Sequence, residues 1–291
     1  MEETTIQLPS FDKLWDYNNP AETERKFRSL LQQAESSQDF DYLAQLLTQI
    51  ARCQALQGHF DSAHATLDSA ERIITSNDLK LANVRYFLER GRTFNSNGQP
   101  GTAMPLFHKT YELADEQRQM RYAIDAVHMI AIAEKEPGDQ IAWNLKGIAM
   151  AESDPVEKVW LHALLNNIGE SYLLVNDYEN AYQSFHRLAE LQKETRSEAD
   201  MYTVKDEAKA HRLYGKPDAS LALMDPILTK LLSENKDDGY IRQEMAEALY
   251  ALGKTNEAKP HFARAYELLA KDNWVVQNES DKLARMKELS E

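Results

Sequence analysis

Apolar and small residues recur three and four positions apart along most of the chain, and short polar stretches containing Gly or Asn interrupt them. In the segment 253–268, GKTNEAKPHFARAYEL, this spacing joins Ala258, Phe262 and Ala265 after a turn at Gly253. Residues at such intervals share one face of a helix. Alternating β-branched runs, which would indicate strands, do not occur. The pattern therefore predicts amphipathic helices and an all-α fold.

The same arrangement occurs several times. In segments 58–73, 98–113, 176–191, 215–230 and 253–268, Gly or Asn stands at the turn, a small residue follows five positions later, and a large apolar residue lies four further on. The small residues are Ala63, Ala103, Ala181, Ser220 and Ala258. A degenerate sixth copy is expected around Ala142, with Lys146 in the aromatic's place. A period of 38 to 40 residues is typical of solenoid repeats.

A second helical segment precedes each turn, and it carries a small residue seven positions before the turn in most copies. Gly91 and Gly169 are two of them. Glycine within a helix costs about 1 kcal/mol relative to alanine. We therefore expect a neighbouring helix to approach closely there, with Ala103 and Ala181 as the partners. The repeating unit is predicted to be a helix, a turn and a second helix.

This unit resembles the tetratricopeptide repeat, most clearly in segments 168–191 and 251–269. The repeats here are about 39 residues long, against about 34 in the common form. The resemblance implies a right-handed α-solenoid in a single domain, 1–291, with about six repeats over 44–272. Residues 1–43 are expected to form an N-terminal cap and a degenerate half-repeat, and 273–291 a C-terminal capping helix.

Prolines predict several local features. Asn19-Pro20 and Asp154-Pro155 fit an N-cap followed by the first helical residue, the second of these helices running to about residue 175. Pro105 and Pro260 are expected in the first turn of a helix, where a missing N–H costs little. Pro226 lies deeper in its segment, so we expect a kink or an early helix end there.

Apolar residues near the N-terminus and the one cysteine are expected to be structural. Phe11, Leu14 and Trp15 should pack on the first repeat, and Cys53 in the core.

The cysteine count and the N-terminus also suggest where the protein resides. A single cysteine excludes an internal disulfide and fits a reducing compartment. The first ten residues lack the apolar stretch of a secretory signal, and no apolar run reaches the roughly 18 residues of a membrane span. These features predict a cytoplasmic protein.

Charge and motifs narrow the function classes. The net charge of −14 should repel nucleic acid and anionic membranes, so neither is an expected partner. The chain has no HExxH, HxxxH or CxxC metal motif, no glycine-rich phosphate loop and no G-x-S-x-G nucleophile motif. We therefore expect no metal, no cofactor and no catalytic residue, and predict that the protein is not an enzyme.

The resemblance also implies a binding site, because the first helices of such repeats line a concave groove. Positions on those helices that the core pattern leaves free are the predicted peptide-binding residues. They are Gln49, Arg52, Arg85, Arg92, Asn95, His128, Asn166, Asn167, Lys205, Lys209 and Arg212. Asparagine amides can bind the backbone of an extended peptide, and Arg and Lys can bind its carboxylates.

The main prediction is an adaptor or receptor that binds a protein or peptide partner with acidic segments in this groove. A first alternative is a self-associating scaffold, such as a homodimer. A second is a regulatory peptide receptor that acts on a separate output protein. Against the groove stands the interpretation that its charges neutralise one another, as Arg85 and Glu89 could.

Overall fold

The computed structural model of the chain describes residues 8–291, and all regular structure within that range is helical. This confirms the all-α prediction. The chain divides into two compact units, Met1–Lys158 and Val159–Glu291. We call them unit 1 and unit 2. Residues 1–7, which belong to the predicted N-terminal cap and to the segment predicted to lack a secretory signal, lie outside the described range.

The described part of unit 1 begins with a short 3-10 helix, Phe11–Lys13, and two short α-helices before the first helix pair. Three pairs follow, α3 with α4, α5 with α6 and α7 with α8, as the repeat pattern predicts. The α-helices are α1 Pro20–Ser29, α2 Leu31–Ser36, α3 Phe40–Leu56, α4 Phe60–Asn77, α5 Lys80–Ser96, α6 Pro100–Glu116, α7 Met120–Ala133 and α8 Pro137–Ser153.

Unit 2 has three more pairs, α9 with α10, α11 with α12 and α13 with α14, followed by two helices where one was expected. Their bounds are α9 Leu161–Leu174, α10 Tyr178–Arg196, α11 Met201–Leu213, α12 Pro217–Ser233, α13 Gly239–Ala251, α14 Thr255–Leu269, α15 Asn273–Asn278 and α16 Ser280–Ser290. Leu283 and Met286 of α16 are buried in the same core as Phe262.

In two of the pairs, α5 with α6 and α9 with α10, the helices meet where glycine faces an aromatic ring. A β-carbon on Gly91 would lie 2.6 Å from Phe107 Cε1, and one on Gly169 would lie 2.6 Å from Phe185 Cζ. Both phenylalanines are fully buried. The close approach predicted for these glycines is confirmed. The predicted partners, Ala103 and Ala181, were wrong. The phenylalanine ring four residues later fills the space beside each glycine, because the larger side chain reaches further between the helices.

The third pair departs from the predicted alignment. Ala142 is exposed, while Asn144 is only 1% exposed and takes the place of the aromatic in α8. Its side-chain nitrogen donates to the Gln140 carbonyl oxygen at 2.9 Å. Lys146 instead lies with its ammonium 4.0 Å from the centre of the Tyr111 ring. The placement of the repeat at Ala142 and Lys146 was therefore wrong by two residues, because α8 begins early, at Pro137.

Five of the six turns inside the pairs use a Gly or Asn in the left-handed region, and the turn between α7 and α8 does not. Gly98 has a φ of 71° and Asn176 a φ of 60°. The first predicted helix start is also confirmed: Asn19 accepts a hydrogen bond from the Glu22 N–H, and Pro20 is the first residue of α1.

The second predicted start is wrong. Asp154 accepts a hydrogen bond from the Val156 N–H at 2.9 Å, and this turn leads into the 3-10 helix Glu157–Trp160. The α-helix α9 begins only at Leu161. An Asx turn that satisfies the local N–H groups thus takes the place of an N-cap.

The three prolines inside helices do not behave as predicted. Pro105 and Pro260 are the sixth residues of α6 and α14, so they lie in the second turn and not in the first. The prediction of an early helix end at Pro226 is wrong, because α12 continues to Ser233.

The N-terminal segment packs as predicted. Phe11 is buried in a core that includes Phe27 and Cys53, with Leu14 and Trp15 packed against it. Cys53 is a free, fully buried thiol, and burial raises its pKa to about 12. Its prediction as a core residue is confirmed.

Candidate binding faces on the two units

The predicted groove residues are distributed over both units, so each unit is described by itself. Unit 1 carries Gln49, Arg52, Arg85, Arg92, Asn95 and His128, on α3, α5 and α7. Unit 2 carries Asn166, Asn167, Lys205, Lys209 and Arg212, on α9 and α11. All of them lie on first helices of pairs, as the repeat pattern predicts.

On unit 1, two of the predicted cations belong to a charge quartet that joins three first helices. Arg52 Nε lies 3.7 Å from Glu89 Oε2, and Arg92 pairs with both Glu89, at 2.8 Å, and Asp125. Burial lowers the pKa of Arg92, but Asp125 and Glu89 outweigh it and raise that pKa. Burial and the Arg92 charge lower the pKa of Arg52. The protein's own carboxylates therefore neutralise these two arginines.

Arg85 and Gln49 are occupied by other partners. Arg85 Nη1 donates to Gln45 Oε1 at 2.9 Å, and its guanidinium lies 5.0 Å from the centre of the Phe11 ring. Gln49 Oε1 accepts a hydrogen bond from Trp15 Nε1 at 2.9 Å. Phe11 and Trp15 belong to residues 8–18, which precede α1, and we call these residues the N-terminal strap. The strap thus covers part of the predicted groove.

The remaining two predicted residues of unit 1 are half-buried. Asn95 lies one turn from Arg92 on α5, and His128 lies on α7. Burial lowers the pKa of His128, and Arg92 lowers it further while Asp125 opposes this. His128 is therefore near the charge quartet.

On unit 2, five side chains of α9 and α11 form what we call the unit-2 face: Asn166, Glu170, Lys205, Asp206 and Lys209. Burial and then Asp206 raise the pKa of Glu170, and Lys209 and Lys205 oppose the shift. These charges on α11 therefore act on a carboxylate of α9. Asn166 is one turn before Glu170, so its side chain shares that face.

The members of the unit-2 face differ in their partners. Lys205 Nζ pairs with Asp206 Oδ1 at 2.7 Å. Within residues 159–291, the half-buried Lys209 forms no ion pair and the half-buried side chain of Asn166 forms no hydrogen bond. Their donors and acceptor thus remain available for a ligand.

The other two predicted residues of unit 2 interact within the protein. Arg212 is tied to Glu244 of α13 by two hydrogen bonds, at 2.7 and 2.9 Å. Glu244 is buried and also accepts a hydrogen bond from Ser220. Asn167 has an interaction partner of its own. Arg212 in particular connects helices.

The sequence did not predict three residues that contact the first helices of unit 1 around the predicted groove. Asp125 completes the charge quartet, and Trp15 and Asp12 of the strap reach the first helices, Asp12 through Arg121 of α7 at 3.1 Å. A signal was present in the segment FDKLWDY, which alternates aromatic and acidic residues before the first helix. The prediction for this segment included only the packing of Phe11, Leu14 and Trp15 on the first repeat.

Residues 8–291 contain no group of three or more His, Cys, Asp or Glu side chains placed to hold a metal ion. None of their helices combines the length and apolar character needed to cross a membrane.

No family model and no curated protein matches the chain. Several solved structures do match the chain. A signal transduction ATPase with numerous domains and a tetratricopeptide repeat sensor, from Pyrococcus horikoshii, matches with a TM-score of 0.72 at 12% identity, over 94% of this chain and 43% of that one. The chain thus spans less than half of that protein.

Two further structures have similar lengths. NprR, solved in complex with its cognate peptide NprX, matches with a TM-score of 0.54 at 16% identity, over 96% of this chain and 81% of that one. A tetratricopeptide repeat protein from Parabacteroides merdae matches with a TM-score of 0.50 at 15% identity, over 96% of each chain. At these identities the likeness concerns the fold, and it agrees with the helix pairs in each unit.

Proposed function

We propose, from the premise that this chain has the tetratricopeptide repeat fold, that it is a non-catalytic adaptor or receptor that binds a protein or peptide segment. The unit-2 face is the site where the segment binds. The observation that carries this proposal is the pair of unpartnered polar side chains, Asn166 and Lys209, on one half-buried face. A cytoplasmic location is part of the same proposal, supported by the free, buried thiol of Cys53.

Each group on this face suits one part of a peptide. The Asn166 amide can donate to a backbone carbonyl and accept from a backbone N–H at the same residue of an extended segment. Lys209 can pair with an acidic side chain or a terminal carboxylate. Glu170 and Asp206 restrict this preference, because they place two carboxylates beside the two lysines. We therefore propose a ligand with isolated acidic residues and not a continuous acidic run.

The fold likeness to NprR, whose structure holds its cognate peptide, gives this proposal a precedent among proteins of similar architecture. A regulatory receptor that acts on a separate output protein is the finer form of the proposal. Unit 1 supports a peptide site less directly, because its carboxylates pair with Arg52 and Arg92 and its strap covers Gln49.

Selection from a phage-displayed library of random linear peptides tests the proposal with the full chain as bait. Selected peptides are then labelled, and their affinity is measured by fluorescence anisotropy. We expect the double substitution Asn166→Ala and Lys209→Ala to weaken binding by about tenfold or more, since the charge-assisted bond of Lys209 contributes about 1.5–3 kcal/mol and the neutral bonds of Asn166 add to it.

The matched control is Gln183→Ala, an exposed residue of the second helix α10, which should leave the affinity unchanged. Equal binding by the double variant and the wild type would refute the unit-2 face as the site. Light scattering separates the self-association alternative: a stable dimer that the double substitution dissociates would assign the face to a second copy of the chain.

A further inference from the structure

The N-terminal strap crosses the first helices of all three pairs of unit 1. The Phe11 ring stacks on Tyr42 of α3, with ring centres 4.7 Å apart, and lies under the Arg85 guanidinium of α5. Asp12 Oδ2 pairs with Arg121 Nη1 of α7 at 3.1 Å. A segment that only capped the first pair would not reach α7.

The contacts are of the kind that hold an extended peptide. Tyr42 Oη donates a hydrogen bond to the Pro9 carbonyl oxygen at 2.9 Å, so α3 binds the strap's backbone. Trp15 Nε1 donates to Gln49 Oε1 at the same distance. Phe11 is the deepest anchor and is only 7% exposed. Backbone binding combined with aromatic anchors is how grooves commonly select a segment.

The fit between strap and helices is incomplete. The two enclose a cavity of about 490 Å3, whose lining includes Trp15, Tyr17, Glu89 and Arg92. Two polar atoms of these lining residues, Glu89 Oε2 and Arg92 Nε, are inaccessible and have no hydrogen-bond partner. A buried polar atom without a partner is costly, so the packing of strap and helices leaves polar groups unsatisfied.

The outer contacts of the strap are also weak. The side chains of Asp12 and Arg121 are 58% and 59% exposed, and an ion pair this exposed contributes little. Tyr17 stacks on Trp15 at 4.6 Å but remains 67% exposed. Apart from Phe11, the strap is therefore held by contacts that a competing segment can replace one at a time.

We propose that these first helices of unit 1 form a binding site for an extended protein segment with the pattern aromatic, acidic, two variable residues, aromatic. The strap, with Phe11, Asp12 and Trp15 in this pattern, is the site's own tethered ligand and excludes such segments from other proteins. This proposal concerns unit 1 alone, and stands or fails independently of the unit-2 face.

The test measures whether the strap's sequence binds when supplied separately. The probe is a fluorescein-labelled peptide of residues 8–18, added to the full chain carrying Asp12→Ala and Trp15→Ala. Both substitutions weaken the strap without removing the Phe11 anchor. Because a short tether gives an effective concentration in the millimolar range, we expect this variant to bind the peptide at least about tenfold more tightly than the wild type does.

Two controls make the result specific. Lys13→Ala changes an exposed strap residue and should leave the wild-type exclusion intact. A probe peptide carrying Phe11→Ala and Trp15→Ala should bind neither protein. A double variant that binds the probe no better than the wild type does would overturn the proposal.

A second measurement decides the case even if the double variant does not fold. A protease site is inserted between Asn18 and Asn19 of the otherwise wild-type chain, and the chain is cleaved and diluted. We expect the strap to dissociate while the helical circular dichroism is retained. A strap that leaves only when the helices unfold would be part of the core and would overturn the proposal. A stable dimer of the chain, in which the strap of each copy binds the first helices of the other, would also overturn the proposal.

Discussion

Gly91 of α5 faces the Phe107 ring so closely that a β-carbon would lie 2.6 Å from Cε1. Gly91→Ala should therefore lower the free energy of unfolding by about 1–3 kcal/mol, since the fully buried ring or the helix must shift to make room and the clash outweighs alanine's better helix propensity. Urea unfolding monitored by circular dichroism measures this. Gly101→Ala is the control: a β-carbon there meets nothing within 4 Å, so stability should stay equal or rise. Equal stability of the two variants would contradict the packing described.

Asp125→Ala should destabilise unit 1 through the charge quartet. The substitution leaves the largely buried Arg92 with Glu89 as its only carboxylate partner within the described part of the unit. Breaking a buried ion pair from one side costs about 3–5 kcal/mol. Glu112→Ala, which removes an exposed pair with Lys109, should cost at most about 1 kcal/mol. Urea unfolding of both variants checks the difference, and similar losses would show that the quartet contributes no more than a surface pair.

Stability should fall in mild acid, in part because of His128. Burial lowers its pKa below the usual 6.5, so its contribution is complete above that pH and is lost as the pH falls through the lower folded-state value. The free energy of unfolding of His128→Gln should therefore decline less steeply between about pH 7 and pH 5, by up to about 1.4 kcal/mol per pH unit. Burial also lowers the pKa of His64 and His261, so some decline should remain. Parallel curves for variant and wild type would contradict the assignment to His128.

Cys53 should be inert in the folded protein. The thiol is fully buried and its pKa is raised to about 12, so little thiolate forms and no reagent reaches it. Ellman's reagent should react with it only after unfolding in urea. The control is the double variant Cys53→Ala and Ser36→Cys, whose one thiol lies at an exposed position and should react at once in the same assay. Rapid reaction of the native wild type would show that α3 opens locally.

The repeat could be predicted from the sequence because its signal is local. Gly98 or Asn176 at a turn and Ala103 or Ala181 five residues later lie within one helix and its turn, so spacing alone defines them. The position of the third repeat was predicted wrongly for the same reason. Asn144 breaks the aromatic pattern, and a fixed period then pointed to Ala142, which is exposed.

The candidate site was harder to predict, because its properties depend on contacts between repeats. Arg92 and Asp125 are 33 residues apart, and Asp12 and Arg121 are 109 apart. Helical spacing placed Arg92 on a first helix, but it could not show which carboxylate would neutralise it. Within residues 159–291, Asn166 forms no side-chain hydrogen bond and Lys209 forms no ion pair, although Lys209 acts on the nearby carboxylate of Glu170.

The charge quartet also has a mechanical consequence for unit 1. Its members alternate in sign across α3, α5 and α7, so sliding α5 by one turn, about 5.4 Å, would separate both of the pairs that join helices at once. Bending the stack would only lengthen those contacts slightly. Unit 1 should therefore be stiff to shear along its helices and compliant to flexing, a combination that lets a binding surface change its curvature without losing the alignment of its residues.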